Sequence, residues 1–223
     1  MNELEMLRGL LTPAQQGTRF YGVTVGVVTN NQDPDKLGRV KVHFPWLSPE
    51  DESAWARVLA PMAGKDRGIF FLPEVDDEVL VAFEHGQVEF PYVLGALWNG
   101  KDTPPETNDD GKNDKRVLKS RSGHLIRLDD NADQAKIEII DKTRNNSMVF
   151  DASANTITIK AQGGITLTSD GDITLEAKGQ VVIKGQSPSV ESTAQNVTVT
   201  AQATMDVKAN GTLNIKGAVV NIN

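Results

Sequence analysis

The stretch TITIKAQGGITLTSDGDITLEAKGQVVIKG, residues 156–185, decides the fold of the carboxyl-terminal half of this chain. Apolar residues recur in it every eight positions, at Ile157, Ile165, Ile173 and Val181. A second apolar residue follows each of them two positions later, and glycine or small polar residues separate the pairs. Alternation with period two is typical of a β-strand, and glycine marks a turn. Each eight-residue unit, called an octad below, therefore predicts a short strand with two apolar side chains on one face.

The octads continue almost to the last residue of the sequence. The period is interrupted at residues 187–189, and the final pair, Val220 and Ile222, arrives one residue early. An irregular last unit is typical of a capping repeat. The predicted interior of the repeat consists of Ile157, Ile159, Ile165, Leu167, Ile173, Leu175, Val181, Ile183, Val197, Val199, Met205, Val207, Leu213 and Ile215.

A single octad is not stable by itself. Ordering its backbone costs about 8 to 16 kcal/mol, whereas burying two branched aliphatic side chains contributes about 3 to 6 kcal/mol. Octads must therefore stack around a common interior, either within one chain, as in a β-solenoid, or between copies of the chain. The period alone does not decide between these. Residues 157–223 would form fewer than three three-sided coils by themselves, and this short run favours three intertwined chains.

The amino-terminal half has a different composition. All three tryptophans and both tyrosines precede residue 100, and the only aromatic residue after it is Phe150. The segment KDTPPETNDDGKNDKR between the halves contains prolines and turn-forming residues, which predict a linker or a long loop. The expected organisation is an amino-terminal segment at 1–19, a barrel domain at 20–100, a linker at 101–116 and a β-helix at 117–223.

The aromatic-rich half alternates in short runs that are separated by glycine and proline turns. Val40, Val42 and Phe44 share one face of such a run, and the run DEVLVAFE alternates in the same way. Five short strands of this kind favour a small closed barrel, for which the OB-fold is the commonest solution. The predicted fold class is all-β, with an OB-fold barrel followed by an intertwined trimeric β-helix needle.

The first residues predict one short helix. Leu4, Leu7, Leu10 and Leu11 follow helical spacing before a stop at Pro13. This helix would lie on its own barrel or dock onto a partner ring. The start lacks the pattern of a signal peptide, and no run approaches the ~20 apolar residues of a membrane span. We therefore expect the chain to be made in the cytoplasm.

The composition argues against several classes of function. The absence of cysteine excludes disulfides and thiolate chemistry, and a net charge of -7 gives nucleic acid no general attraction. His43, His85 and His124 have no second ligand at coordinating spacing, and no catalytic triad or phosphate loop is present. The sequence thus predicts a structural protein that is not an enzyme, without catalytic residues, cofactor, metal site or nucleic-acid partner.

Three stretches carry a resemblance to a known family: GRVKVHFPW at 38–46, WARVLAPMAGKDRGIFFLPEVDDEVLVAFEHG at 55–86 and VLGALWNG at 93–100. They resemble the OB-fold domain of the phage baseplate assembly protein V family, the central spike of contractile phage tails, contractile injection systems and the type VI secretion spike. The segment KSRSGHLIRLDD at 119–130 resembles the start of the needle in this family. One departure is Asp76, which stands where the family commonly has glycine.

The resemblance implies an assembly and several partners. It implies a stand-alone homotrimeric spike, with a hub on a separate chain, a PAAR-repeat tip protein, tail tube and baseplate proteins, and transient contact with a target membrane. The implied place of assembly is the baseplate of a phage or phage-tail-like particle. The implied hub contact is formed by Leu4, Leu7, Leu10 and Leu11, and the implied tip contact by Val219, Val220, Asn221, Ile222 and Asn223. The alternative from another class is a β-solenoid adhesin or carbohydrate-binding module, for which exposed aromatic residues are expected; the octads contain none.

Overall fold

The computed structural model describes residues 19–47, 51–185, 191–193 and 196–221. The chain divides into two compact units, Met1–Ile165 and Thr166–Asn223. In the described ranges, no helix is long and apolar enough to cross a membrane. The strands are β1 (Val23–Asn30), β2 (Arg39–His43), β3 (Ala56–Val58), β4 (Ala63–Gly64), β5 (Arg67–Gly68), β6 (Glu78–Phe83), β7 (Pro91–Ala96), β8 (Lys115–Lys119), β9 (Leu125–Asp129), β10 (Lys136–Ile140), β11 (Ser147–Asp151) and β12 (Thr156–Lys160).

Five strands of the first unit close into a barrel in the order β1-β2-β3-β7-β6. Neighbouring strands are antiparallel except β3 and β7, which run parallel. A 3-10 turn at Glu84–Gly86 leads from β6 towards β7. The prediction of an all-β chain with a five-stranded OB-type barrel near its amino terminus is thereby confirmed.

The barrel encloses a compact core of valine and phenylalanine. Strand β1 contributes Gly26 and Val28 to the interior, whereas Val23 and Val25 face outward. Position 26 requires glycine, because a side chain there would collide with Val42. The buried apolar residues are Val28, Val40, Val42, Phe44, Ala56, Val79, Val81, Phe83 and Val93.

The turn before β6 has the backbone conformation that glycine favours. Asp77 N donates to Glu74 O at 3.1 Å, and Asp76, the third residue of this four-residue turn, has φ +76°. A positive φ at the third position of a turn defines type II, in which glycine or asparagine is preferred. Asp76 N also donates to Val28 O at 2.9 Å, which ties the turn to the barrel. The departure from the family pattern at Asp76 therefore falls on a left-handed residue.

The second sheet of the first unit is an antiparallel meander in the order β12-β11-β10-β9-β8. Each strand pairs with its sequence neighbour over five residues without a bulge. The strand β8 starts at Lys115, one residue before the predicted end of the linker. The first octad pair, Ile157 and Ile159, lies in β12 at the edge of this sheet.

The unit Thr166–Asn223 contains most of the octads. Its described residues form no strand within the single chain, but the backbone bends at an eight-residue interval. The bends, the first of which precedes this unit, fall at 162–163, 170–171, 178–179, 202–203, 210–211 and 218–219. A β-strand needs hydrogen bonds to a neighbouring strand, and the described segments between these bends have no such neighbour in the single chain. The β-helix needle therefore stays a prediction.

Candidate assembly surface: an uncovered apolar ladder

The second sheet presents one face that is almost entirely apolar. Its register aligns two rows of residues across all five strands, for example Ile126 opposite both Leu118 and Ile139. Residues two apart on a strand share a face, so the two rows lie side by side. We call the following residues the apolar sheet face: Leu118, Ile126, Leu128, Ile137, Ile139, Met148, Phe150, Ile157 and Ile159.

The apolar sheet face is not covered by the chain itself. Its leucine and isoleucine side chains are between 42% and 64% exposed. A strand face of this composition normally packs on a core, because each such side chain contributes about 1.5 to 3 kcal/mol when it is buried. The described residues do not supply the second layer that such a face normally packs against.

The opposite face of the sheet is charged and internally paired. Arg127 Nε donates to Glu138 Oε2 at 2.7 Å, Arg127 Nη2 also contacts this carboxylate, and Lys136 Nζ lies 3.3 Å from Glu138 Oε1. Glu138 is 7% exposed and is the buried charged residue of the described chain. Desolvation lowers the pKa of Arg127, but Glu138 and Glu106 outweigh it and the pKa is raised. The guanidinium therefore stays charged beside its partner.

The predicted linker covers part of this charged face. Glu106 accepts from Arg127 Nη1 at 3.3 Å and from Lys115 Nζ at 3.2 Å. The hydrogen bond from Lys115 is the main reason that the pKa of Glu106 is lowered. The two faces of the sheet thus differ: ion pairs and a loop of the same chain satisfy the charged face, whereas no described residue covers the apolar one.

The octads extend the uncovered surface towards the carboxyl terminus. Each of the fourteen residues predicted to form the repeat interior is between 49% and 74% exposed. Together with the apolar sheet face they form what we call the apolar ladder, which runs from Leu118 to Ile215 along the sequence. Exposed aliphatic side chains in such number are unusual on a monomer and are typical of residues that a partner covers.

The other residues predicted to form contacts lie at the two ends of the chain. Val219 is 77% exposed, Val220 is 48% exposed, and Asn221 is also exposed. Ile222 and Asn223 lie outside the described residues, as do Leu4, Leu7, Leu10 and Leu11. The described part of the predicted tip contact is thus open for a partner.

The analysis of the octads missed the first part of the apolar ladder. Seven of its residues precede Ile157, and a search for a fixed period of eight does not find them because successive apolar pairs of the meander start 9 to 11 residues apart. The signal that could have found them is the alternation within each short run, as in KIEII at 136–140.

Two of the histidines and the carboxylate of Asp77 take part in local turns and loops. His85 lies in the 3-10 turn, and His124 Nδ1 accepts from Lys142 N at 3.3 Å. Asp77 caps its own turn by accepting from Glu74 N. Across the described ranges, no group of three histidine or acidic residues is arranged to hold a metal ion.

Comparison with known proteins assigns the barrel to a class. Residues 24–98 match the family model of the type VI secretion system and phage-baseplate injector OB domain. This segment runs from β1 through β7 and so contains all five strands of the barrel. The barrel is therefore similar to the OB domain of baseplate and central spike proteins, and the family match is limited to these residues.

Relatives similar to this chain include spike proteins of much greater length. The chain is 38% identical over 92 residues to the type VI secretion system spike protein VgrG3 of Vibrio cholerae, covering 40% of this chain and 9% of the relative. It is 40% identical over 75 residues to spike protein VgrG1a of Pseudomonas aeruginosa, covering 32% and 12%. The actin cross-linking toxin VgrG1 of Vibrio cholerae is 36% identical over 92 residues, or 40% and 8%. The chain thus spans about a tenth of the length of the curated relatives it matches.

Proposed function

We propose that this chain is the trimeric central spike of a contractile injection machine. Three barrels form a collar, and three carboxyl-terminal segments wrap into a triangular β-helix needle. The observation that supports this is the apolar ladder, which a single chain leaves exposed from Leu118 to Ile215. Three copies around one axis would bury it in a common interior, and they would supply the strand neighbours that isolated octads lack.

The proposed mechanism is mechanical. The spike would be pushed forward by the tail tube when the sheath contracts, and the needle would concentrate force on the target membrane. A closed prism suits this task because it has no free sheet edges at which unfolding or aberrant pairing starts. In the single chain, β8 and β12 are such free edges, and wrapping of three copies would supply partners for them.

The proposed partners lie at opposite ends of the spike. The amino-terminal leucines Leu4, Leu7, Leu10 and Leu11 would contact a hub on a separate chain, and residues 219–223 would hold a PAAR-repeat tip protein. The exposed Val219 and Val220 support the second contact. Baseplate and tube proteins would surround the collar in the assembled particle.

The mass of the purified protein tests the proposal directly. One chain has a mass of 24.2 kDa, so three copies give 3 × 24.2, about 73 kDa. We expect light scattering of dilute protein at neutral pH to give the trimer mass, and electron micrographs to show a thin rod projecting from a compact collar. A monomer mass under these conditions would contradict the proposal.

The tip contact has its own test. Deletion of residues 219–223 removes the exposed valines beyond the last regular octad and leaves the predicted interior untouched. We expect the truncated protein to remain a trimer and to lose capture of a PAAR-repeat protein in a pull-down. Unchanged capture would refute the assignment of these residues.

A further inference from the structure

The barrel carries a second uncovered apolar surface, separate from the apolar ladder. It lies on the connection between β3 and β6 and on the loop before β2. Its most exposed members are Phe70 at 78%, Leu37 at 69% and Phe71 at 67%. We call the following residues the hairpin patch: Leu37, Leu59, Met62, Ile69, Phe70 and Phe71. Together with Pro61 and Leu72 they line a groove of about 500 Å³.

The backbone holds the hairpin patch in this position. Strands β4 and β5 pair through Ala63 with Gly68, and Ile69 N donates to Met62 O at 3.0 Å. Gly68 has φ +153°, and a side chain there would approach Met62 O to 2.6 Å. The apolar side chains are thus displayed by a defined hairpin that requires a glycine. Its tip, residues 65–67, supplies a polar rim of mixed charge, the arrangement common at protein interfaces.

The hairpin patch lies close in the chain to the contact between barrel and sheet. Arg121 Nη1, in the turn between β8 and β9, donates to Glu74 Oε2 at 2.7 Å. Glu74 follows Phe71 by three residues on the same loop. The side of the barrel that carries the patch is therefore tied to the sheet whose apolar face requires cover. If three sheets pack together, three such loops come close to one another.

We infer that in the assembled protein a neighbouring copy of this chain covers the hairpin patch. The inference rests on the proposed function, because it needs the copies to be held together by the apolar ladder. Once they are, the second contact is intramolecular and takes place at an effective concentration in the millimolar range. A patch of six side chains, too small to hold free monomers together, then suffices to fix the three barrels as a collar.

Single-cysteine labelling tests this inference on the full chain, which contains no native cysteine. The probe is Phe71→Cys, and the matched control is Glu89→Cys. Glu89 is exposed in the turn that follows β6, whereas the patch belongs to the loop that precedes β6. Maleimide labelling is measured in the normal chain and in a chain that also carries Ile173→Asp and Leu175→Asp in the octads. Light scattering reports the mass of each protein, and tryptophan fluorescence reports its folding.

We expect Phe71→Cys to react at least about tenfold more slowly in the trimer than in the octad variant, because protected groups react only after local opening. Glu89→Cys should react at equal rates in both. Fast labelling of position 71 in the trimer would overturn the inference. Protection that persists in a monomeric octad variant would also overturn it, since a segment of the same chain would then be the cover. A monomeric parent protein, or an octad variant that stays trimeric, would instead contradict the proposed function.

Phe71→Cys also removes an aromatic side chain, so a second position guards against a local effect. Met62→Cys probes the facing side of the same groove, where the side chain is 50% exposed. We expect the same loss of protection in the octad variant. Protection of position 71 without protection of position 62 would restrict the contact to the loop and would contradict cover of the whole hairpin patch.

Discussion

The barrel and the apolar ladder are both built from short alternating strands, yet they bury their apolar residues to opposite extents. In the barrel, Val40, Val42, Val79 and Val81 are fully buried by strands of the same chain. In the ladder, every octad residue is about half exposed or more. A barrel of five strands closes on itself and so supplies a neighbour to every strand, whereas the octads that follow β12 form no strand pair among the described residues. The same local pattern therefore gives a buried core in one region and exposed apolar side chains in the other.

The largest effect is expected in the octads, where two substitutions should abolish the proposed burial of the apolar residues. Changing Ile173 and Leu175 to aspartate puts two charges per chain, six per trimer, into the proposed interior. Burial of unpaired charge costs several kcal/mol per group, so the trimer should not form. Light scattering should give about 24 kDa, the mass of one chain, in place of about three times that value.

The control for this variant is Thr174→Asp, which adds a charge between the same two positions. Thr174 alternates with the apolar pair and lies on the opposite, outward face. We expect the trimer mass to be retained. Loss of the trimer in both variants would show that charge alone, and not burial of the octad pair, controls assembly.

The second prediction concerns the buried core of the barrel. Phe44 is 2% exposed, and its ring centroid lies 5.5 Å from that of Phe83. Phe44→Ala should lower the free energy of unfolding of the barrel by about 3 to 5 kcal/mol through loss of burial and the cavity that remains. Chemical denaturation followed by tryptophan fluorescence measures this, since all three tryptophans belong to the barrel half. The trimer mass should persist below the denaturation midpoint. Simultaneous loss of barrel and trimer would show that the two regions fold as one.

These two regions were predictable from sequence to different degrees. Alternation predicted the inward face of β2, because Val40 and Val42 are flanked by charged residues. It did not fix the phase of β1, where Val25, Val27 and Val28 are all apolar; the interior accepts Val28 because Gly26 leaves room for Val42. Hydrophobicity alone cannot distinguish two apolar faces, and packing decides between them.

The candidate assembly surface was likewise only partly predictable from the sequence. The octads were found because their period is fixed. The alignment of Leu118, Ile126 and Phe150 on one face depends on the register between the successive strands β8, β9, β10, β11 and β12, which the sequence does not reveal. The role of Glu106 had no signal in the sequence. It lies in a segment whose composition predicts a loop, and its contacts with Arg127 and Lys115 depend on how that loop crosses the sheet.

The third effect is a pH dependence confined to the barrel. Asp33 is nearly buried, and its carboxylate accepts from Arg39 Nε at 2.9 Å and from Leu37 N at 2.9 Å. The hydrogen bonds from Arg39 are the main reason that its pKa lies far below the usual value for aspartate. A lowered pKa stabilises the folded state at pH values above the unfolded pKa, and this contribution is lost as the pH falls through the folded pKa. Asp33→Asn should therefore lower the melting temperature at pH 7, and the difference from the parent should shrink below about pH 4.

Asp35→Asn is the matched control for this prediction. Asp35 also pairs with Arg39, at 2.6 Å, but its side chain is 66% exposed, and exposed pairs contribute little. Its melting temperature should stay close to that of the parent at both pH values. Equal destabilisation by the two substitutions would mean that the charge on Arg39, and not the buried carboxylate of Asp33, organises the loop.

The smallest effect is expected at the type II turn that precedes β6 in the barrel. Asp76 has φ +76°, a conformation that costs most residues about 1 to 2 kcal/mol and glycine almost nothing. Glycine also loses more backbone entropy on folding, so Asp76→Gly should raise the free energy of unfolding by a net of about 0.5 to 1 kcal/mol. Chemical denaturation of the barrel, followed by tryptophan fluorescence, measures the change.

Substitution of the neighbouring residue, Asp77, is expected to change the free energy of unfolding in the opposite direction. It therefore tests whether backbone strain explains the gain at position 76. Asp77 Oδ2 accepts from Glu74 N at 2.8 Å, and its backbone does not have a positive φ. Asp77→Gly removes this hydrogen bond without relieving strain, and it should lower the free energy of unfolding by about 1 kcal/mol or more. If both glycine substitutions were destabilising, the aspartate at position 76 would contribute a contact that outweighs its left-handed backbone, and the family preference for glycine there would need a reason other than conformation.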